Sequence, residues 1–192
     1  LAKNFPQITT EFIHRIRFYA PFHDIGKYRI PDEVLFSDKK FSPQEREIMN
    51  KHPVFGEEII DEVARICDLN NTPREELTFV KNIIRYHHEA YDGTGYPEGL
   101  SDSNIPLEAR IVTLADVFDA LLSKRPYKEP WNMTDVIQFI QEKSGTLFDP
   151  LCVKALLENI NEFLSIREFI CDDTPTPFEY PNHQVTCSTH SS

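Results

Sequence analysis

The pair His23–Asp24 places an imidazole beside a carboxylate, after an apolar stretch and just before Gly26–Lys27. The two side chains offer one nitrogen and one oxygen ligand, a mixture that suits first-row divalent metals. An isolated pair of this kind also occurs as a helix-end cap or a surface contact. For the doublet alone, that structural interpretation outweighs a metal site.

A second polar group, His87–His88–Glu89, follows an otherwise apolar helical pattern. Adjacent helical residues point about 100° apart, at about 3.6 residues per turn. Both imidazoles can therefore border one cavity, but both can hardly fill the core. The alternative is a set of exposed polar residues at a frayed helix end.

Asp116 lies in mid-helix among apolar neighbours, within Leu114–Phe118. A buried carboxylate is costly unless it is paired or binds a metal. The alternative to a ligand role is a salt bridge to Arg110 or Arg125. Asp119 lies on a different face of the helix, so we interpret it as structural.

The other histidines carry less information. His52 lies at the end of a predicted helix and means little alone. His14 alternates with basic and apolar residues, which indicates a helix surface. His183 and His190 lie in the C-terminal tail, where we expect no role.

Helices must position these residues, because period-two strand patterns are nearly absent. The segments Ser42–Glu45 and Thr72–Glu75 both read as capping boxes with proline at the first helical position, and the second helix is predicted to run to about His88 or Glu89. Three later helices are predicted over 106–122, over 134–143 with Gly145 closing it, and from Asp149–Pro150 onward. The predicted fold class is all-α.

Two segments break the helical pattern. Residues 90–105 contain Gly93, Gly95, Pro97 and Gly99, which predicts a loop between two helices. Residues 171–192 contain three prolines among polar residues, which predicts a flexible tail or linker. We therefore predict a domain over 1–165 and a C-terminal extension over 166–192.

The chain has 192 residues and a formal net charge of −11. An acidic surface disfavours a broad grip on a DNA or RNA polymer, although a small anionic substrate held by local cations remains compatible with it. No segment resembles a membrane span or a signal peptide. The four cysteines form no CxxC pair, which favours reduced thiols and a cytoplasmic location.

Taken together, the segments resemble the HD-GYP family, a branch of the HD metal-dependent phosphohydrolases that degrade cyclic di-GMP. The ordered matches cover about residues 20–160 and comprise His23–Lys27, Ile30–Asp32, His52–Pro53 with Gly56, His87–Glu89, Asp92–Pro97 with the name-giving Gly95–Tyr96–Pro97, Ala109–Ile111, Ala115–Leu121, Arg125–Tyr127 and Gly145–Pro150. A bare His–Asp doublet is weak support, whereas this ordered set is strong. The resemblance implies an all-α HD-domain helical bundle with a glycine-rich GYP loop.

The resemblance also implies a binuclear metal centre with Asp24 as the bridging ligand. Its ligands would be His23, Asp24, His52, His87, His88 and Asp116. Two divalent ions, iron or manganese rather than zinc, are expected on the same grounds. They would lower the pKa of the attacking water and clamp the phosphate.

Substrate contacts are implied as well. Lys27 would neutralise a phosphate oxygen or assist the leaving group, and the alternative is a solvated lysine. Arg125 and Lys128 match positions that contact the dinucleotide. The Gly95–Tyr96–Pro97 loop would shape the substrate mouth, with Tyr96 either stacking or packing there.

One feature departs from the family pattern. Family members carry a further ligating histidine about thirty residues before the doublet, but only 22 residues precede His23, and His14 is too close. The chain begins with Leu1 rather than Met. We expect the ligand to lie upstream in a longer protein.

The resulting functional hypothesis is a cytoplasmic bacterial phosphodiesterase that hydrolyses cyclic di-GMP to pGpG or GMP. One alternative keeps the metal centre but changes the substrate to another cyclic dinucleotide or nucleotide phosphate. Another is a catalytically weak signalling or interaction module. A homodimer and an upstream sensory domain are compatible with the resemblance, although no residue here demonstrates either.

Overall fold

The computed structural model describes residues 5–69, 72–123 and 129–165. Its helices are α1 Thr10–Tyr19, α2 Asp32–Leu35, α3 Pro43–Met49, α4 His52–Ile66, α5 Arg74–Tyr86, α6 Leu107–Leu122, α7 Met133–Glu142 and α8 Pro150–Glu158. Short 3₁₀ turns cover Ala20–Phe22, Ile25–Arg29 and Asp102–Asn104. Within the described ranges there are isolated bridges but no strand, which confirms the all-α prediction.

Helix α5 lies at the centre, packed between α4 and α6. Its residues Ile83 and Ile84 are fully buried, because apolar positions three and four apart line one helix face. Phe79, Ile83 and Val112 form a core cluster that α1 covers. A central helix of this kind gives the residues at its C-terminal end a rigid base.

Several predicted helix boundaries hold. Ser42 accepts a hydrogen bond from the Glu45 amide, and the Glu45 carboxylate accepts one from the Ser42 amide, so this capping box is confirmed. Helix α6 begins just after Pro106, as predicted. Helices α7 and α8 lie within a residue of the predicted starts.

The second capping box was wrong. The residue that precedes α5 is Pro73, so no side chain caps this helix. The Thr72 amide donates to the Leu69 carbonyl. The helix therefore starts at Arg74, one residue later than predicted. Helix α5 also ends at Tyr86, earlier than the predicted 88 or 89.

Helix α4 had no counterpart in the sequence prediction. The chain leaves α3 at Met49, turns through two residues and re-enters a helix at His52. His52 therefore begins a helix rather than ending one. This position brings it against the 3₁₀ turn that follows Asp24, which packs on α4.

The chain divides into two units, Leu1–Glu158 and Asn159–Ser192. Only residues 159–165 of the second unit are described, and there the amides of Glu162 and Phe163 donate to the Asn159 carbonyl. The predicted extension over 166–192 lies outside the described residues. Of the helices in the described part of the chain, none has the length and apolar character of a membrane span.

Candidate metal centre

Asp24 reaches the site because Gly26 lets the 3₁₀ turn that follows Asp24 contact the backbone of α4. A Cβ atom at Gly26 would lie 1.9 Å from the His52 carbonyl oxygen and 2.5 Å from the Gly56 amide nitrogen. Only a residue without a side chain fits between the 3₁₀ turn and α4. The turn therefore seats Asp24 beside the first residue of α4.

Three histidines are oriented by the same local device. The Nδ1 atoms of His23, His52 and His87 donate to the carbonyl oxygens three residues earlier, at 2.8, 2.7 and 2.9 Å. A ring that donates from Nδ1 in its neutral form carries its lone pair on Nε2. All three Nε2 atoms point toward Asp24, as a metal-ligating histidine requires.

The two oxygens of Asp24 face different groups. Oδ1 lies 3.3 Å from His52 Nε2 and 3.7 Å from His87 Nε2. Oδ2 lies 3.3 Å from His23 Nε2 and 2.5 Å from Lys27 Nζ. Asp24 therefore lies between two sets of nitrogen donors.

This arrangement fits a cation between the donors. Asp24 Oδ1 is buried and has no hydrogen-bond partner within the described residues. The Nε2 atoms of His52 and His87 lie only 3.3 Å apart, although each ring already donates from Nδ1. Ligand atoms of Asp24, His52, His87 and His88 all lie within 4.8 Å of one another, so the cluster could hold a metal ion.

His23 joins Asp24 to Asp116. Its Nε2 lies 3.6 Å from Asp116 Oδ1. Burial lowers the pKa of His23, but hydrogen bonds to Asp116 and Asp24 outweigh it and raise the pKa to about 10. The contact with His23 lowers the pKa of Asp116. In the metal-free site, His23 is therefore a cation between two carboxylates.

The pKa values of two other imidazoles, His87 and His88, shift in the opposite direction. Burial lowers the pKa of His87, and burial together with His87 and His52 lowers the pKa of His88 to about 3. Burial alone would raise the pKa of Asp24, but the surrounding histidines and Lys27 bring it far below its usual range. Asp24 is therefore ionised while His87 and His88 are neutral, which are the protonation states that metal binding needs, whereas His23 must lose a proton before its Nε2 can bind a metal.

The Gly95–Tyr96–Pro97 loop lies over His88. The rings of Tyr96 and His88 stack with centroids 4.9 Å apart and an angle of 25°. The Tyr96 amide donates to the His88 carbonyl at 3.2 Å. The Tyr96 ring therefore contacts a histidine of the cluster, and its role at a substrate mouth stays a prediction.

The alternatives considered for single residues can now be decided. Arg110 pairs with Asp149 at 2.5 Å, so the alternative interpretation of Asp116 as a partner of Arg110 was wrong. Arg125, the other arginine considered, lies outside the described residues. His87 is fully buried, so the frayed-end interpretation was also wrong. His14 is exposed, as expected for a helix surface. Asp119 is exposed and bonded to Ser123.

Some predicted residues cannot be placed, and others were missed. Arg125, Lys128, His183 and His190 lie outside the described residues. The sequence analysis assigned no role to Gly56, whose amide borders Gly26. A glycine four residues after His52 inside a helical segment was the available signal.

Comparison with known proteins identifies the family. Residues 7–151 match the family described as "HD domain". The chain is 45% identical over 150 residues to the cyclic di-GMP phosphodiesterase response regulator RpfG of Xanthomonas campestris pv. campestris, covering 78% of this chain and 37% of that protein. It is 40% identical over 157 residues to the 3'3'-cGAMP-specific phosphodiesterase 2 of Vibrio cholerae (82% and 28%) and 39% identical over 155 residues to a cyclic di-GMP phosphodiesterase of Thermotoga maritima (81% and 40%).

A solved structure shares the fold. The crystal structure of a cyclic GMP-AMP specific phosphodiesterase of V. cholerae, V-cGAP3, superposes with a TM-score of 0.52 at 23% identity, over 83% of this chain and 41% of that chain. The chain belongs to the HD domain family, and the resemblance to its HD-GYP branch is confirmed. It spans between 28% and 40% of the length of the three relatives named above.

Proposed function

We propose that this chain is a metal-dependent phosphodiesterase that hydrolyses cyclic di-GMP to pGpG, GMP or both, in bacterial second-messenger signalling. The names of two relatives, at 45% and 39% identity, support this substrate. The cytoplasmic location predicted from the cysteine pattern belongs to the same proposal.

The observation that carries the proposal is the environment of Asp24. A buried carboxylate oxygen, with no hydrogen-bond partner in the part of the chain that the structure describes, faces two imidazole nitrogens that are themselves 3.3 Å apart. Such a group is costly to bury in the absence of a cation. A divalent ion would satisfy the oxygen and both nitrogens at once.

The ligand assignment follows from the two sides of Asp24. His52 and His87 lie on the Oδ1 side, and His88 belongs to the same cluster of ligand atoms. His23, which also contacts Asp116, lies on the Oδ2 side. This division supports two ions bridged by Asp24, as the family resemblance implies. Bound ions, which we take to be iron or manganese, would neutralise the phosphodiester and lower the pKa of the attacking water.

The chain's own residues then bind and orient the substrate. Lys27, partly exposed and paired with Asp24, is placed to neutralise a phosphate oxygen once substrate enters. Tyr96 and its loop border His88, where they would limit access of bulk water. Arg125 and Lys128 remain part of the proposal as contacts to the dinucleotide.

The test compares two aspartates. Asp24→Ala should lose both metal binding and hydrolysis of cyclic di-GMP, because it removes the shared ligand. Asp119→Ala is the matched control, since this side chain is exposed and accepts a hydrogen bond from the Ser123 hydroxyl. A folded Asp24→Ala protein with unchanged hydrolysis would refute the proposed mechanism.

A second substrate is favoured by one comparison. The relative at 40% identity is named as specific for 3'3'-cGAMP. Hydrolysis of cyclic di-GMP and 3'3'-cGAMP, measured side by side at equal concentration, decides between the two. Neither being hydrolysed by the metal-loaded protein would favour the interaction module instead.

A further inference from the structure

Glu89 is a buried acid that the proposed mechanism does not use. Its side chain is 1% exposed. Oε1 accepts a hydrogen bond from the Glu98 amide at 2.7 Å, and Oε2 accepts one from the Leu100 amide at 3.0 Å. Among the described residues, no cation lies within salt-bridge distance of it.

A carboxylate buried against neutral amides is an expensive way to hold a loop. Apolar packing could anchor the same segment at lower cost. What the carboxylate adds is geometry, because two acceptors at fixed separation set the positions of two amides. The question is which group needs that geometry.

The two hydrogen bonds close the Gly95–Tyr96–Pro97 loop onto the end of the His87–His88 segment. Glu89 follows His88 directly, and its two partners lie just beyond Pro97. Within this closed loop there is no room for a side chain at Gly95, where a Cβ would lie 2.2 Å from the Ala90 amide nitrogen. The loop therefore has little freedom, and the Tyr96 ring is pressed onto His88.

His88 differs from the other histidines of the site. His23, His52 and His87 each donate from Nδ1 to a backbone carbonyl. Within the described residues no such hydrogen bond holds the His88 ring. Its orientation depends instead on ring contacts, of which the stack with Tyr96 is the one made from outside the histidine cluster.

We propose that Glu89 is a positioning residue: it fixes the loop so that the Tyr96 ring orients the His88 imidazole toward the metal site. Its consequence for turnover rests on the proposed function, but its consequence for His88 does not. Stacking on Tyr96 thus orients the His88 ring, in the way that a hydrogen bond from Nδ1 orients the rings of His23, His52 and His87. Loss of such a supporting contact weakens metal sites about 10- to 100-fold.

The direct test is NMR of the metal-free protein. In the wild type, the His88 ring protons should be shifted upfield by the Tyr96 ring. Tyr96→Leu should abolish that shift, and Glu89→Gln should abolish or greatly reduce it. Glu98→Gln is the matched control: it removes the side-chain ion pair with Arg85 but keeps the backbone amide that Glu89 binds, so the shift should persist.

The second readout is Mn²⁺ affinity, titrated without substrate. Glu89→Gln and Tyr96→Leu should each weaken binding about 10- to 100-fold, and Tyr96→Phe should retain wild-type affinity because it keeps the ring. If Glu89→Gln does not fold, Glu89→Asp keeps the charge but is too short for both amides, and the same losses are expected. An unchanged His88 shift in a folded Glu89 variant, or unchanged Mn²⁺ affinity in both Glu89 and Tyr96→Leu variants, overturns the inference. Both readouts hold whether or not cyclic di-GMP is the substrate.

Discussion

Gly26→Ala should damage both stability and the metal site. The added Cβ would lie 1.9 Å from the His52 carbonyl oxygen, whereas ordinary contact begins near 3.4 Å. The turn and α4 must therefore separate by about 1.5 Å, because the clash is with backbone rather than with a flexible side chain. That separation would open the 3.3 Å approach of Asp24 to His52.

The expected cost of this overpacking is about 1–3 kcal/mol in the free energy of unfolding. For a unit of this size, each kcal/mol lowers the melting temperature by about 2–4 °C. Calorimetry should therefore show a melting temperature lower by about 2–12 °C. Mn²⁺ titration should show at least about tenfold weaker binding, as for other losses of ligand support.

Tyr28→Ala is the control for the same turn, since this side chain is 89% exposed. It should leave both the melting temperature and Mn²⁺ affinity close to wild type. A Gly26→Ala protein that melts and binds Mn²⁺ like Tyr28→Ala would refute the argument that backbone contact seats Asp24.

Three further predictions concern stability, pH and thiol reactivity. Asp149→Ala should lower the free energy of unfolding, measured by urea titration, by about 3–5 kcal/mol, because it leaves the largely buried Arg110 without its partner. A loss below about 1 kcal/mol would contradict this prediction. In the metal-free protein, burial lowers the pKa of His88 to about 3, so below about pH 6.5 the unfolded chain binds a proton that the folded chain does not. The free energy of unfolding should therefore fall as the pH drops below about 6.5, with a slope from His88 of at most about 1.4 kcal/mol per pH unit. A His88→Gln variant with an equally steep pH profile would exclude His88 as the cause. Burial raises the pKa of the Cys152 thiol to about 12. At pH 8, iodoacetamide should therefore label the exposed Cys67 and leave Cys152 unlabelled until the protein unfolds. Equal labelling of the two cysteines in the folded protein would contradict this prediction.

Much of the helical fold could be predicted from local signals. Pro106 and the Ser42 capping box mark helix starts through their own chemistry, so the sequence alone located α3 and α6. The Thr72 box failed because Pro73 has extended backbone and itself occupies the N-cap position, so α5 starts at Arg74. Pro53 marks the break between α3 and α4, but no local pattern records that α4 packs on the turn after Asp24.

The site was predictable in its members but not in its geometry. The motif order indicated which histidines and aspartates would meet, and the structure brings six of them together. The pairing of Arg110 with Asp149 was not predicted, because Asp149 lies 39 residues later and the packing of α8 on α6 brings them together. The role of Glu89 was invisible, since its partners are backbone amides, which any sequence supplies.

The orientation of three of the histidine rings could have been predicted from the sequence. Each of three histidines donates to the carbonyl three residues earlier, which is a geometry set by the helical turn that holds it. A histidine placed at a turn or helix end is thereby oriented by its own backbone. The Asp24 oxygen that these rings face had no such local signal.

The central claim is that the Asp24 cluster binds divalent metal ions and that the chain uses them to hydrolyse a cyclic dinucleotide. The most direct measurement titrates the metal-free chain with Mn²⁺ or, under anaerobic conditions, Fe²⁺, and follows conversion of cyclic di-GMP to pGpG at each step. We predict that turnover rises with metal occupancy, saturates as two ions bind per chain and disappears with a chelator. Hydrolysis that persists at full rate after complete metal removal, or a folded chain that binds no divalent ion, would contradict the account.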